Sequence, residues 1–379
     1  MMRKILVIVY NLDRALEHEW YVQLMDRSRY EIHFAVIRQC HGFLATYLES
    51  QGLPVHRFEY QGKIGLPTLT WKLFRLIKKE RFDMVHAHLF EASISGMIAA
   101  RLARTRVRVV TRHHSDFHHR NSRLAVKMDH LVNRLSTHLI AVSRNVQQIL
   151  VEWEGVSPEK VTVIPHGIDV DSFGEEAVSA SRVAQMRDNL ALNPTDKVIG
   201  MVSRFIDWKG IQFAIDAFSM LRDQRTDVVL VLANAQGPYR DQILLKLQKL
   251  PPESYRLVPF EKDVPALYMV FDCFVHVPVS PTAEAFGQTY IEALASRIPS
   301  VITISGVAHD YAVHGKNCLV VSYKDSESIY AAMVEALDQN TGLQHMKIEG
   351  RKLVEEKYNF KLKYTALDRF YSLVLGHAD

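Results

Sequence analysis

Residues 280–295 read SPTAEAFGQTYIEALA, and seven residues separate the two carboxylates of this stretch, Glu284 and Glu292. The first acid is predicted at a loop tip, and the second opens a run of small residues that predicts a helix. Backbone amides at a helix N-terminus hold phosphate, and carboxylates accept hydrogen bonds from sugar hydroxyls. The stretch therefore predicts a site for a polyhydroxylated anion. The spacing alone also fits a solvent-exposed acid followed by an ordinary helix acid.

The strand-then-helix alternation around this stretch extends over the whole chain. Short β-branched apolar runs separated by amphipathic segments are typical of a parallel sheet covered on both faces by helices. In the first half of the chain, the predicted strands are residues 4–10, 32–37, 83–87, 107–111, 139–142 and 161–164. In the second half they are residues 197–202, 228–233, 255–258, 273–277, 300–303 and 318–321. We therefore predict an α/β protein with two Rossmann-like doubly wound domains facing each other across a cleft.

The alternation also predicts the domain boundaries. The segment Pro-His-Gly-Ile-Asp at residues 165–169 interrupts the pattern, and a polar stretch follows it. We predict an N-terminal domain, a linker, a C-terminal domain and a last helical segment that packs back on the N-terminal domain. Their ranges are residues 1–170, 171–195, 196–352 and 353–379.

The bulk composition is that of a soluble globular protein. Of the 379 residues, 48% are hydrophobic and 23% are charged, which are ordinary values. The three cysteines, Cys40, Cys273 and Cys318, lie far apart, which argues for a reducing compartment and against a structural zinc site. The apolar run after the N-terminus is too short for a signal peptide, and no run is long enough to span a membrane. We therefore predict a cytoplasmic location.

The charge is distributed unevenly. Residues 1–184 carry 25 Lys and Arg against 19 Asp and Glu, a net charge of +6, whereas the remaining residues have a net charge of −2. A basic half favours an anionic membrane surface or an anionic acceptor. The segment WKLFRLIKK at residues 71–79 is apolar on one face and basic on the other, which suits interfacial docking. The alternative is an ordinary helix that covers the sheet.

Few aromatic residues accompany the nine Lys and Arg of residues 101–134, so we predict no nucleic-acid partner.

Two nucleotide-binding classes are disfavoured by missing motifs. No glycine occurs in residues 5–16, where a dinucleotide-binding G-x-G-x-x-G would follow the first strand. No P-loop motif occurs either. A hydride-transferring Rossmann enzyme and a P-loop NTPase are both disfavoured.

A pair of cations follows the first strand of the second half. Residues 203–210 read SRFIDWKG, with Arg204 and Lys209 five positions apart at a predicted strand-to-helix turn. Arginine binds phosphate oxygens bidentately and lysine supplies a compact charge, so the two can converge on one diphosphate. Taken alone, such a pair is more typical of a solvated face.

The R-x4-K and E-x7-E patterns together resemble glycosyltransferase family four, whose members are retaining GT-B enzymes of the group 1 glycosyl transferases. The resemblance spans nearly the whole chain, because other segments are similar to the family as well. They are FDMVHAH at residues 82–88, TRH at 111–113, VS at 142–143, VIPHGID at 163–169 and DVPALY at 263–268.

The resemblance implies roles for individual residues. It implies that Arg204 and Lys209 neutralise the leaving nucleoside diphosphate, that Glu284 contacts the transferred sugar and that Glu292 holds the ribose hydroxyls. The implied substrate-binding residues also include Phe286, Gly287 and Gln288, with the first two amides on the phosphates. His113 is implied to lie against the sugar from the N-terminal domain.

The resemblance further implies the reaction and the partners. The chain would move a sugar from a nucleotide-sugar donor to a hydroxyl acceptor with retention, in glycan, polysaccharide or glycolipid assembly. The acceptor domain would be the N-terminal one, and the acceptor a saccharide or lipid-linked saccharide. We expect no metal, because the arginine and lysine would hold the diphosphate and the histidines of residues 113–119 match no metal-binding spacing. We expect no cofactor, because the nucleotide sugar is a substrate. A peripheral position at the inner membrane face is an alternative to a purely cytoplasmic one.

Two other functions fit the same fold. A sugar-nucleotide epimerase would bind the same donor and return an epimer without an acceptor. A non-catalytic sugar-nucleotide-binding subunit would usually lack one of the four charged site residues, and all four are present here.

Overall fold

The computed structural model describes residues 2–60, 62, 65–338 and 341–376, without the side chain of residue 341. The chain divides into two compact units, which we call the first unit and the second unit. The first unit comprises Met1–Pro165 and Phe360–Asp379, and the second unit comprises His166–Asn359. The division after Pro165 differs from the predicted linker over residues 171–195, part of which is helical and belongs to the second unit. Residues 377–379 of the predicted last segment lie outside the described residues.

The first unit is built on a parallel sheet of seven described strands. Buried β-branched runs form its centre, and Val7 and Val109 are completely buried. The strand order is β3-β2-β1-β4-β5-β6-β7. The strands are β1 (Arg3–Tyr10), β2 (Tyr30–Ile37), β3 (Val55–Phe58), β4 (Met84–His88), β5 (Val107–Arg112), β6 (His138–Ala141) and β7 (Val161–Val163).

Helices connect the strands of the first unit. They are α1 (Leu16–Leu24), α2 (Phe43–Ser50), α3 (Leu66–Glu80), α4 (Phe90–Leu102), α5 (Phe117–Asn121), α6 (Arg123–Leu135) and α7 (Arg144–Gln148), which continues into a π-helical turn at Ile149–Trp153. The apolar stripe of α3, formed by Leu69, Leu73 and Ile77, is buried. This helix is therefore one that covers the sheet, and its apolar face is not available for insertion into a membrane.

The second unit contains the other parallel sheet, with six described strands. Their order is β10-β9-β8-β11-β12-β13. The strands are β8 (Lys197–Val202), β9 (Val228–Ala233), β10 (Tyr255–Val258), β11 (Cys273–His276), β12 (Ser300–Ile302) and β13 (Leu319–Val320). The helices are α8 (Ala180–Asn189), α9 (Ile211–Gln224), α10 (Arg240–Leu247), α11 (Val264–Tyr268), α12 (Gln288–Ala295), α13 (Ser326–Leu337) and α14 (Thr341–Lys357).

The last helix of the chain, α15 (Phe360–Leu375), completes the first unit. Tyr364, Phe370 and Tyr371 join the core that packs around β1 and β2. The Tyr371 hydroxyl lies 2.6 Å from Nδ1 of the buried His86. The sequence predicted one helical segment over residues 353–375, but the structure has two helices separated at Tyr358 and Asn359.

Candidate active site

The strand order of the second unit brings the two charged motifs to one crevice. β8 and β11 are neighbours, and the chain leaves them toward opposite sides of the sheet, to β9 and β12 respectively. Such a reversal opens a crevice beyond the carboxyl ends of the two strands. Arg204 and Lys209 follow β8, and Glu284 lies in the loop that follows β11. The topology alone therefore explains why residues so far apart in sequence meet.

Close approach of the two loops depends on Gly210, at the start of α9. Its φ angle is +75°, and a Cβ atom there would lie 1.8 Å from the carbonyl oxygen of Val277. The amide of Val279 donates to the carbonyl of Trp208 over 3.0 Å. The loop that carries Lys209 is thereby held against the loop that carries Glu284.

Glu284 forms the centre of this site. Its Oε1 atom accepts from Nζ of Lys209 over 2.5 Å and lies 2.7 Å from Nε2 of His276. Glu284 lies in a loop, as predicted, but it is only 6% exposed and His276 only 1%, so the alternative of a solvent-exposed acid is wrong. Burial of an ionised carboxylate is costly unless charges and hydrogen bonds compensate for the lost water. Here Lys209 and His276 both contact Oε1 of Glu284.

The site fixes the protonation of both groups. Burial alone would raise the pKa of Glu284, but the Lys209 charge and the His276 hydrogen bond outweigh burial and lower this pKa to about 2. Burial lowers the pKa of His276, with Glu284 acting in the opposite direction. Glu284 is therefore ionised at neutral pH, and His276 is neutral with its proton on Nε2.

The loop after β12 supports Glu284 from behind. The amide of Glu284 donates to the Ser305 hydroxyl over 3.0 Å, and the amide of Val307 donates to the Phe286 carbonyl over 2.8 Å. At Gly306, with φ +58°, a Cβ atom would lie 2.7 Å from Cβ of Glu284. The backbone that positions the carboxylate is thus held on both sides.

Glu292 lies within α12, which begins at Gln288 and not at the acid as predicted. Oε2 of Glu292 accepts from the Tyr268 hydroxyl over 2.9 Å, and Oε1 accepts from Nε2 of Gln288 over 2.9 Å. Burial raises the pKa of Glu292, against these two hydrogen bonds. Each carboxylate oxygen has a further lone pair, so the group can still accept from a hydroxyl of a ligand.

Phe286 and Gly287 form the turn before α12. Gly287 has φ +85°, and a Cβ atom there would lie 2.5 Å from the ring of Tyr290. The Phe286 ring is buried and makes edge contacts with His166 and Tyr358, with ring centroids 5.2 and 6.0 Å apart. The Phe286 side chain is therefore a packing group, and only its backbone could face a ligand.

Arg204 differs from Lys209 in its surroundings. It is exposed, and within the described ranges its guanidinium makes neither an ion pair nor a side-chain hydrogen bond. Nζ of Lys209 forms the ion pair with Glu284 and also lies 4.6 Å from the ring centroid of Trp208. Of the two cations on the loop after β8, one is thus exposed and the other is shared with a buried carboxylate.

His113 lies in the first unit, just after β5. Its Nε2 atom is 3.1 Å from Nδ1 of His88, which is buried at the end of β4. Burial also lowers the pKa of His88 well below its usual value. The implied position of His113 against the transferred sugar, among the catalytic residues, stays a prediction.

The neighbouring histidines belong to a buried network around Arg112. Arg112 donates to both carboxylate oxygens of Glu154, over 3.0 and 2.8 Å, and to Nε2 of His114 over 2.8 Å. His114, His118 and Asp129 could hold a metal ion, since their ligand atoms lie within 4.8 Å of one another. However, the 2.6 Å separation of His118 Nδ1 and Asp129 Oδ2 is a hydrogen-bond distance. The expectation of a metal-free reaction stays a prediction.

Sequence reasoning missed His276 and Ser305 as partners of Glu284. His276 ends an apolar strand run, where a single histidine is usually a core residue. The available signal was its position at the carboxyl end of a central parallel strand, next to the loop that carries the acid.

Family models and relatives agree with this architecture. The model for glycosyltransferase family 4 matches residues 20–172, and the model for glycosyl transferases group 1 matches residues 183–353. One curated relative is the UDP-Gal:alpha-D-GlcNAc-diphosphoundecaprenol alpha-1,3-galactosyltransferase of Escherichia coli, 25% identical over 288 residues. This match covers 70% of our chain and 69% of the relative. The capsular polysaccharide biosynthesis glycosyltransferase CapM of Staphylococcus aureus is 24% identical over 322 residues, with 81% of each chain covered.

Solved structures show the same fold. The crystal structure of Anabaena HepE in complex with UDP and glucose superposes with a TM-score of 0.83 at 21% identity, covering 98% of our chain and 100% of that chain. The protein therefore has the GT-B fold. The family models and the curated relatives show that it is a glycosyltransferase. The two models together span most of the chain, which belongs to glycosyltransferase family four, with the group 1 domain in its C-terminal half. This membership favours sugar transfer over the epimerase alternative. Among the residues that the structure describes, no helix combines the length and apolar character needed to span a lipid bilayer.

Proposed function

We propose that the second unit binds a nucleotide-sugar donor, with its diphosphate at Arg204 and Lys209, and that the sugar is transferred with retention to a hydroxyl acceptor. The observation that carries this proposal is the crevice between β8 and β11. There an exposed arginine and a lysine lie on the loop that packs against a buried, ionised glutamate. Fixed cations at this position would stabilise the charge that grows on the leaving diphosphate, an effect typically worth a few kcal/mol per donor.

Different site residues would bind different parts of the donor. Glu284 would accept hydrogen bonds from hydroxyls of the transferred sugar, and Glu292 would use its remaining lone pairs for the ribose hydroxyls. The amides of Phe286 and Gly287 at the start of α12 would meet the phosphates. Because two side-chain cations are available, the reaction would need no metal. The acceptor hydroxyl would enter on the face that the diphosphate leaves, with a phosphate oxygen as its base.

We further propose a lipid-linked saccharide as the acceptor, in the assembly of a surface glycan or polysaccharide. One relative is named for a diphosphoundecaprenol-linked acceptor and another for capsular polysaccharide biosynthesis. Lys72, Arg75, Lys78 and Lys79 on α3 are all exposed, as is Trp71 at 55%. Since the apolar face of α3 is buried, attraction to an anionic membrane would be mainly electrostatic.

A panel of nucleotide sugars and their free nucleoside diphosphates tests the donor assignment. The true donor should raise the melting temperature of the wild-type protein by mass action, and Arg204→Ala should reduce this increase strongly. Lys249→Ala is a matched control, because Lys249 is exposed and follows α10, a helix that leads to the edge strand β10 and not to β8 or β11. Equal binding by the Arg204→Ala and Lys249→Ala variants would show that the diphosphate does not bind at the β8 loop.

Incubation with the donor alone separates transfer from isomerisation. We expect slow hydrolysis or no reaction, because no acceptor is present. Accumulation of an epimeric sugar at catalytic rates, followed by chromatography, would favour the epimerase, and binding without any turnover with a range of acceptors would favour the non-catalytic subunit.

A further inference from the structure

His276 is enclosed at the carboxyl end of β11. Its ring stacks on Phe274 at an angle of 14° and receives the edge of Tyr290, with ring centroids 6.2 and 4.6 Å away. Nε2 faces Glu284 over 2.7 Å. Nδ1 is buried and has no hydrogen-bond partner within the described part of the chain.

This histidine carries a stability cost that an apolar residue would avoid. The neutral ring donates its single N–H to Glu284, so the lone pair of the buried Nδ1 atom accepts no hydrogen bond within the described part of the chain. An unsatisfied buried acceptor destabilises the folded state. A leucine would fill the same apolar surroundings without that cost. The N–H directed at Glu284 is therefore the property that distinguishes histidine at this position.

Lys209 is the donor to Glu284 that a bound diphosphate would attract away from the carboxylate. Lys209 and His276 both reach the same Oε1 atom. The Lys209 side chain is 16% exposed, whereas the Glu284 side chain is 7% exposed. If the Lys209 ammonium turns toward a phosphate, the Glu284 carboxylate stays buried. Its charge is then stabilised by its remaining contacts, which include the hydrogen bond from His276.

We propose that His276 is a positioning residue of the donor site, whose Nε2–H holds Glu284 in place while the Lys209 ammonium moves to the donor diphosphate. The proposal rests on the proposed function, because it requires that a diphosphate binds at Lys209. It assigns no bond-making step to His276. Lys209 would leave Glu284 for phosphate, and the hydrogen bond from His276 to Oε1 of Glu284 would remain.

The exchange gives a pattern of binding that simple packing would not produce. In His276→Leu, Glu284 loses one of its two donors at Oε1, so binding of UDP or GDP would remove the other and weaken the pairing of a buried charge. We expect the affinity for the nucleoside diphosphate that binds the wild type to fall on the order of tenfold or more. His276→Gln carries an amide N–H at a similar reach and should retain most of the affinity. Adding Glu284→Gln to His276→Leu should restore the affinity, because a neutral amide does not need the ammonium.

Titration of UDP and GDP, monitored by Trp208 fluorescence, tests this pattern. Trp208 is the only tryptophan between residues 166 and 359 and lies beside Lys209, and a Trp208→Phe variant gives the background from the first unit. Wild-type affinity in His276→Leu, or equal losses in His276→Leu with and without Glu284→Gln, would overturn the proposal. If instead the wild type and Arg204→Ala bind equally, the proposed function is at fault and not the role of His276.

Discussion

Replacement of Lys209 by alanine tests the charge arrangement of the site most directly. The ammonium lies 2.5 Å from a carboxylate whose side chain is 7% exposed. The pKa of Glu284 falls from the ordinary 4.5 to about 2, and about 1.4 kcal/mol accompanies each pKa unit. The ionised carboxylate is therefore stabilised by about 3 kcal/mol relative to the unfolded chain. This agrees with the lower end of the about 3–5 kcal/mol lost when one partner of a buried ion pair is removed.

The expected result is a large loss of stability at pH 7 in Lys209→Ala. For a unit of this size, about 3 kcal/mol corresponds to roughly 6–12 °C in melting temperature. Differential scanning calorimetry is the suitable assay, because two units need not unfold together. Lys249→Ala, which removes an exposed lysine, should change the melting temperature little.

A double-mutant cycle isolates the pair from other effects of the substitution. Glu284→Gln and the double variant with Lys209→Ala complete the cycle, and we expect a coupling free energy of about 3 kcal/mol. Because the folded-state pKa of Glu284 lies below 4.5, this stabilisation is fully present above pH 4.5 and is lost as the pH falls through about 2. A coupling below about 1 kcal/mol at pH 7, the range of exposed pairs, would refute the reasoning.

Three further predictions follow from the remaining contacts. Glu292→Gln should weaken binding of the free nucleoside diphosphate about tenfold or more by calorimetry, whereas Glu284→Gln should lower turnover and leave that binding near the wild-type value; the reverse pattern would exchange their roles. Activity should survive a chelator such as EDTA, and a requirement for added manganese or magnesium would contradict the proposed metal-free mechanism. In flotation assays, the protein should bind vesicles that contain anionic lipid, less so as salt rises, and the triple variant Lys72→Glu, Lys78→Glu, Lys79→Glu should bind less without unfolding. Unchanged binding of this variant would favour a soluble acceptor.

Much of the sheet architecture could be predicted from local sequence, because buried parallel strands are continuous apolar runs. The strand β3 was missed, since it lies at the sheet edge, its residues are only half-buried, and its sequence Val-His-Arg-Phe has no apolar run. The break between α14 and α15 was also missed. It depends on a bridge between Asn359 and Ile168, a tertiary contact that no local pattern reveals.

The site was predictable in its charged residues and not in their partners. The spacing of the motifs located Lys209 and Glu284, but it gave no sign that the two would form a buried ion pair. The contact between His276 and Glu284 could be seen only in the structure, because β11 places the His276 ring beside Glu284 on the following loop. The exposed basic face of α3 was predicted, yet only the structure shows that the apolar face is already used in the core.

The dependence of this pairing on loop geometry leads to a last prediction, for Gly210→Ala. Gly210 and Gly315 share a φ angle of +75°, so alanine strains the backbone at both positions, by roughly 1–2 kcal/mol. They differ in their surroundings, because a Cβ atom at Gly210 would lie 1.8 Å from the Val277 carbonyl oxygen, whereas nothing lies within 4 Å at Gly315.

Gly210→Ala must therefore move the Lys209 loop away from β11, and a misplacement of about 1 Å can reduce activity on the order of 100-fold. We expect Gly210→Ala to lose nucleoside diphosphate binding and turnover, and Gly315→Ala to lose only a little stability. Equal behaviour of the two variants in calorimetric titration and activity assays would mean that backbone strain, and not the contact between the loops, determines the effect. The contact between Gly210 and the Val277 carbonyl would then not be what places the β8 loop beside Glu284.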